Sequence, residues 1–220
     1  MRAAFEKNLK ELQHELFEMA AMVNTALDRS IDALKKRDVE TAKQIKSDDI
    51  HINNKRWQLE EKCIHLIATQ QPVASHLRQI IAVLNIITEL ERMGDHAEGI
   101  AKIIIKLNGE PPVKPLIDIP RMAQISTEMT SGSLHAFADR DINKARKIIA
   151  RDDEVDELYH QILRELITIM IEDPRTITRC TYLMWTAHNI ERIADRVTNI
   201  CERIVFLVTG EVKENISADE

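Results

Sequence analysis

The sequence predicts an all-α protein of two tandem three-helix bundles related by internal duplication, with six long helices. Glycine and proline number only 5 and 6 in 220 residues, and aromatic residues are 4% of the chain, which leaves little room for turn-rich β-sheet. A short acidic phrase occurs twice, one hundred residues apart, as Glu91-Arg92-Met93-Gly94-Asp95 and Glu191-Arg192-Ile193-Ala194-Asp195. Self-similarity of this kind indicates a repeated structural unit.

A proline-rich window divides the chain into its two halves. Four of the prolines fall within ten residues, and Asn108-Gly109 before them is a helix C-terminal signal. These prolines are Pro111, Pro112, Pro115 and Pro120. We therefore expect a first repeat at 1–109, a linker at 110–118, a second repeat at 119–210 and a C-terminal tail at 211–220.

Each half divides into three segments in which apolar residues recur at helical spacing. The predicted helices are 3–36, 39–70 and 73–108 in the first half and 119–139, 142–172 and 174–209 in the second. Pro72 and Pro174 occupy expected first helical positions, and Gly210 is a suitable stop for the last helix. Arg37-Asp38 matches Arg140-Asp141 between the halves, which supports the duplication.

Composition and missing motifs exclude several classes of function. The net charge of −6 gives no electrostatic support for nucleic-acid binding, and no run of eighteen apolar residues predicts a membrane span. The three cysteines have no CxxC spacing and indicate reduced thiols in a cytoplasmic protein. The chain has no phosphate-binding glycine loop, HExxH or GxSxG motif, which argues against hydrolytic or nucleotide chemistry.

The repeated acids lie beside the apolar seam of their helices. Glutamate and aspartate four residues apart share one helix face, where like charges cost about 0.2–0.5 kcal/mol per pair unless a cation neutralises them. In the second and fifth predicted helices the apolar row is interrupted at equivalent points by Asp49 and Asp152. An inward-facing carboxylate needs a partner, and folding each helix pair back at Pro72 or Pro174 brings these aspartates level with the repeated acids.

The pattern therefore predicts one oxygen-rich metal site in each half. Iron, manganese, magnesium and zinc are cations that such ligands suit. The strongest candidate ligands are Asp49, Glu91, Asp95, Asp152, Asp156, Glu191 and Asp195. Weaker candidates are Asn53, Glu98, Asp153, Asn199 and Glu202. Asn53 stands where the second half has Asp156, so the first site is expected to bind metal more weakly.

Two other interpretations fit the acidic residues of this sequence. The acids could form solvated ion pairs, or a metal-free docking face of a helical scaffold, because Arg92 and Arg192 are within reach of the aspartates three residues on. Arg92, Arg192 and Arg196 are predicted to point away from the seam and to be available to an acidic partner. Glu11-x-x-His14 and Glu157-x-x-His160 match the ligand phrase of ferritin-like di-iron bundles, but at non-equivalent repeat positions.

The two motifs resemble those of the PhoU family of phosphate-uptake regulators. The first is His76-Leu77-Arg78 followed by Glu89-Leu90-Glu91-Arg92-Met93-Gly94-Asp95, and the second runs from Asn189 through Glu202 to Leu207-Val208-Thr209-Gly210. The resemblance covers nearly the whole length, and it implies two three-helix bundles without catalytic activity. It also implies multinuclear iron or zinc clusters, one per repeat, on Glu91, Asp95, Glu191 and Asp195, with other divalent metals as alternatives.

The resemblance further implies the partners of such a regulator. They are the ATPase subunit of a phosphate ABC transporter and a sensor histidine kinase, between which the protein would hold phosphate-starvation signalling down when phosphate is ample. Membrane association would occur only through these partners, and nucleic acid is not expected to bind. The sequence leaves open whether the chain forms a homo-oligomer such as a homodimer.

Overall fold

The computed structural model describes residues 2–107 and 109–211, with side chains from Phe5 onward, and this part of the chain is almost entirely helical. The helices are α1 (Arg2–Lys36), α2 (Val39–Gln70), α3 (Ala74–Leu107), α4 (Asp118–Asp139), α5 (Ile142–Ile149), α6 (Asp152–Glu172) and α7 (Ile177–Thr209). A single 3₁₀ turn, Pro174–Thr176, precedes α7. Asn108 and residues 212–220, which belong to the predicted linker signal and tail, lie outside the described residues.

The duplicated Arg-Asp turns adopt the same conformation in both halves. Arg37 and Arg140 have positive φ angles of 58° and 54°, and the aspartate that follows each one caps the next helix. Asp38 accepts a hydrogen bond from Thr41 N at 3.0 Å, and Asp141 accepts one from Lys144 N at 3.0 Å. Such caps satisfy amide groups that the first helical turn leaves without partners.

The predicted fifth helix, 142–172, is interrupted. α5 ends at Ile149 and α6 starts at Asp152, because Arg151 N bonds to Ile148 O at 3.0 Å in a tighter turn. Asp152, Asp153 and Glu154 occupy the first turn of α6, where carboxylates interact favourably with the helix dipole. In the first half, α3 begins at Ala74, two residues after Pro72, which was the expected first helical position.

The two bundles share one core along the seam between α3 and α7. The apolar rows predicted for these helices are buried throughout. In α3 the row is Val83, Ile87, Leu90, Gly94, Ala97, Ala101 and Ile104, and in α7 it is Leu183, Ala187, Ile190, Ala194, Val197, Cys201 and Ile204. Polar contacts from His96 to Asn189 and from Glu89 to Arg196 show that the two helices run antiparallel. The halves are therefore packed along full-length helices.

Candidate metal sites

The first acidic cluster forms where α2 and α3 approach closely. A Cβ atom on Gly94 would lie 3.1 Å from Ile52 Cδ1 and 3.4 Å from Asp49 Oδ1, so the glycine permits this approach. One carboxylate oxygen each from Asp49, Asp95 and Glu98 lies within 4.8 Å of the other two. Among the described residues this is the one group of three His, Cys, Asp or Glu side chains that converges so closely.

The electrostatics of this cluster favour a cation. Burial, and then the charges of Asp95 and Glu98, raise the pKa of Asp49. Burial followed by the charge of Asp95 also raises the pKa of Glu91, against the lowering effects of Arg56 and Arg92. Both shifts show that ionised carboxylates here are unfavourable without a positive neighbour.

Two polar neighbours orient the carboxylates. Asn53 Nδ2 donates a hydrogen bond to Asp49 Oδ2 at 2.8 Å, and Lys102 Nζ donates one to Glu98 Oε2 at 2.6 Å. Asn53 therefore lies beside the cluster, and its amide group positions Asp49.

The second acidic cluster lies between α6 and α7 and contains the predicted partner of the repeated acids. Asp152 Oδ1 is buried without a hydrogen-bond partner among the described residues. Burial, and then the charges of Asp195, Asp156, Glu191 and Asp153, raise the pKa of Asp152 to about 7. The charges of the neighbouring carboxylates act in the same direction as burial, so an ionised Asp152 is unfavourable here without a cation.

Cations of the chain itself contact the second cluster. Arg192 Nη1 donates a hydrogen bond to Asp195 Oδ2. Arg92, its counterpart in the first half, is exposed. Glu191 Oε2 lies 3.2 Å from His188 Nδ1 but makes no hydrogen bond. The weaker metal binding expected of the first half stays a prediction, although its oxygens converge more closely than those of the second half.

The remaining candidate residues occupy different surroundings. Asp153 is exposed and Glu202 is half-buried. Asn199 Nδ2 donates to Glu89 Oε2 on α3 at 3.2 Å, and its amide group is therefore directed to the other half. Arg196 Nη1 contacts the same glutamate oxygen at 3.3 Å. Its predicted outward position is wrong, because α3 packs across this face of α7.

This contact between the halves is the feature that sequence reasoning missed. Glu89 accepts hydrogen bonds from Arg196 and Asn199. Asn189 occupies the position of Glu89 in the second half, and its Oδ1 lies 3.0 Å from His96 Nδ1. A Cβ atom on Gly99 would be 2.9 Å from Asn189 Oδ1, so a side chain at position 99 would displace the amide group of Asn189. The one available signal was the difference between the copies at positions 99 and 199.

The di-iron interpretation finds no support in the geometry. His14 is exposed and lies 3.4 Å from Glu18, and His160 is exposed on α6. Since a di-iron site needs its ligands on facing core helices at one depth, these two phrases do not form one.

The donor sets fit a hard or borderline cation. Every side chain in the two clusters offers oxygen, the like charges are concentrated, and Asp152 Oδ1 has no partner among the described residues. No helix in the described part of the chain has the length and apolar character that a membrane crossing requires.

The chain is similar to proteins of one family along nearly its whole length. The model for the PhoU domain matches residues 16–104 and again 119–204. A protein of Aquifex aeolicus named phosphate-specific transport system accessory protein PhoU homolog is 42% identical over 94% of this chain and 93% of its own length. Escherichia coli K12 has a phosphate-specific transport system accessory protein PhoU that is 33% identical, over 98% and 90% respectively.

Two crystal structures have the same fold. PhoU from Pseudomonas aeruginosa superposes with a TM-score of 0.88 at 33% identity, covering 94% of this chain and 100% of that one. The phosphate transport system regulatory protein PhoU from Streptococcus pneumoniae also gives 0.88, at 31% identity and with 96% and 100% coverage.

Proposed function

The chain belongs to the PhoU family, and we propose that it is a cytoplasmic, non-catalytic regulator of phosphate uptake. The observation that carries this proposal is the agreement with that family over both halves. Relatives named as accessory proteins of phosphate-specific transport match 94–98% of the chain. The proteins named in this way have an accessory or regulatory role in phosphate transport.

The regulator acts between two partners. We place it between the ATPase subunit of a phosphate ABC transporter and a sensor histidine kinase, where it keeps starvation signalling low when phosphate is plentiful. Deleting the gene should raise expression of phosphate-starvation genes in phosphate-rich medium, and supplying the gene again should reverse the change. Unchanged expression after deletion would count against this role.

Each half is proposed to hold a divalent metal, iron or zinc above all, on its acidic cluster. The convergence of Asp49, Asp95 and Glu98 supports the first site, and the partnerless oxygen of Asp152 supports the second. A bound cation would remove the repulsion among the carboxylates, and Asn53 would hold Asp49 in place.

Metal analysis of the protein purified without chelator tests these sites. Asp95→Asn/Glu98→Gln should remove the metal of the first half, and Asp152→Asn/Asp195→Asn that of the second, with helicity retained. The matched control is Glu61→Gln/Glu172→Gln, which removes two exposed carboxylates outside both clusters. Metal content that is absent from the parent, or equal in the cluster variants and the control, would refute the proposal.

A metal-free docking scaffold is the second candidate function, and contacts in the second cluster favour it. Arg192 pairs with Asp195, and His188 lies near Glu191. These contacts already supply part of the positive charge that a metal would bring. If the purified protein contains no metal and deletion of the gene still raises starvation-gene expression, the function is that of a metal-free docking scaffold.

A further inference from the structure

A groove with a volume of about 540 Å³ opens beside the first acidic cluster. Its floor is apolar and includes Ala21, Met22 and Ala26 of α1, Ile45 and Ile52 of α2, and Gly94 of α3. The lining positions on α1 run from Glu18 to Arg29, which corresponds to about 16 Å along the helix. The groove can therefore accept several side chains from about three turns of another helix.

The duplicated half has larger side chains at two of the equivalent positions. Gln124 replaces Ala21 and Met129 replaces Ala26, with the same spacing that relates Arg37-Asp38 to Arg140-Asp141. Met129 is fully buried, whereas Ala21 is exposed and Ala26 is half-buried. Since the same three-helix unit is built with large residues there, the small residues of the first half are not a requirement of the fold.

The charges around the groove are balanced except at one end. Glu18 pairs with Lys55 at 2.7 Å, and Asp48 pairs with Arg29 at 2.7 Å. Glu98 likewise has Lys102 at 2.6 Å. Asp49 makes a hydrogen bond to the amide of Asn53 but no ion pair among the described residues, and Asp95 adds a second negative charge beside it.

We propose that this groove docks a basic amphipathic helix of a partner protein. Apolar side chains of that helix occupy the floor formed by Ala21, Met22 and Ala26, and a lysine or arginine at its end meets Asp49 and Asp95 when no metal ion occupies the first acidic cluster. Helices that dock in this way insert apolar residues at spacings of three and four. Met22 suits the role because its unbranched side chain adapts to different surfaces.

Peptide binding tests the docking groove. The probe is a fluorescent helical peptide of about 14 residues with a leucine face and a lysine face, and the comparison peptide carries glutamate in place of lysine. Fluorescence anisotropy in the presence of a chelator measures the dissociation constants, so the result does not depend on metal binding. The lysine peptide should bind the parent protein and the glutamate peptide should not.

The decisive variant fills the groove without changing any charge. Ala26→Met introduces the residue of the second half and should weaken binding of the lysine peptide at least about tenfold, a difference of about 1.4 kcal/mol. Ala68→Met is the matched control, because Ala68 is exposed on α2 and does not line the groove. Ala21→Gln at an exposed position is a second variant should the first fail to fold.

The outcomes separate docking from simple charge attraction. Equal affinities of the parent and both groove variants for the lysine peptide would overturn the proposal. Failure of this peptide to bind the parent, or equal binding of the glutamate peptide, would overturn it as well. Weaker binding in both groove variants with unchanged binding in Ala68→Met would support it.

Discussion

Replacing Glu89 by glutamine tests whether the contact between the halves stabilises the fold. Glu89 Oε2 accepts hydrogen bonds from Arg196 Nη1 at 3.3 Å and Asn199 Nδ2 at 3.2 Å. The side chains of Arg196 and Glu89 are only 18% and 16% exposed, so solvent screens the pair weakly. Arg196 Nε is also buried without a partner among the described residues, and the guanidinium group therefore depends on Glu89.

The expected loss follows from the chemistry of this pair. Glutamine keeps the shape and an oxygen acceptor but removes the charge, and hydrogen bonds to charged groups contribute about 1 kcal/mol more than neutral ones. The half-buried guanidinium group also loses its counter-ion. We expect the free energy of unfolding to fall by about 2 kcal/mol, which lowers Tm by about 4–8 °C in a chain of this size.

Urea and thermal unfolding followed by far-ultraviolet circular dichroism measures the change. The matched control is Glu40→Gln, which removes an exposed ion pair with Lys43 whose side chains are 82% and 56% exposed and should cost less than about 0.5 kcal/mol. A double-mutant cycle with Arg196→Met should give a coupling energy of about 1 kcal/mol. Equal effects of Glu89→Gln and Glu40→Gln, or no coupling, would refute the reasoning.

Two further predictions concern ionisation. The pKa of Asp152 is raised from 3.8 to about 7. Between these two pH values the folded chain holds a proton that the unfolded chain has released, so this carboxyl group lowers the stability of the fold as the pH rises. In the presence of a chelator, Asp152→Asn should therefore raise the free energy of unfolding by about 1–2 kcal/mol at pH 8, a figure reduced for partial exposure. At pH 4 the same variant should change it by almost nothing. Equal increases at the two pH values would contradict this prediction. Burial, followed by the charge of a nearby glutamate, raises the pKa of Cys63 and Cys201 to about 12, and Cys180 is also buried. A thiol reagent should therefore react with none of the three cysteines in the native protein and with all three in urea. Rapid reaction of the native protein would contradict this prediction.

The helices could be predicted because their signals are local. Apolar spacing, the aspartate caps and Gly210 gave boundaries that differ by at most three residues from those observed. The interruption at Ala150 and Arg151 was missed because the apolar row continues through it from Ile148 to Val155. A periodic row indicates which face is buried, but it does not indicate whether the backbone hydrogen bonds continue.

The acidic clusters were predictable for a similar reason. A hairpin relates positions along two neighbouring helices by simple counting, which brought Asp49 level with Asp95 and Asp152 level with Asp195. The roles of Arg196 and Asn199 were not predictable in this way, since they depend on how two separate hairpins pack against one another. No count along the chain gives the position of Glu89 relative to α7.

The contact of Gly99 with Asn189 has a consequence for the history of the duplication. Two first halves joined as a symmetric pair would set Glu89 against His96 and would lack both Arg196 and Asn199. Two second halves would place Asn189 against an arginine with no carboxylate, and Asn199 would stand where Gly99 leaves room. The two modules have therefore diverged since the duplication, and a chain built from two copies of either half would lose the contacts that join Glu89 to Arg196 and Asn199.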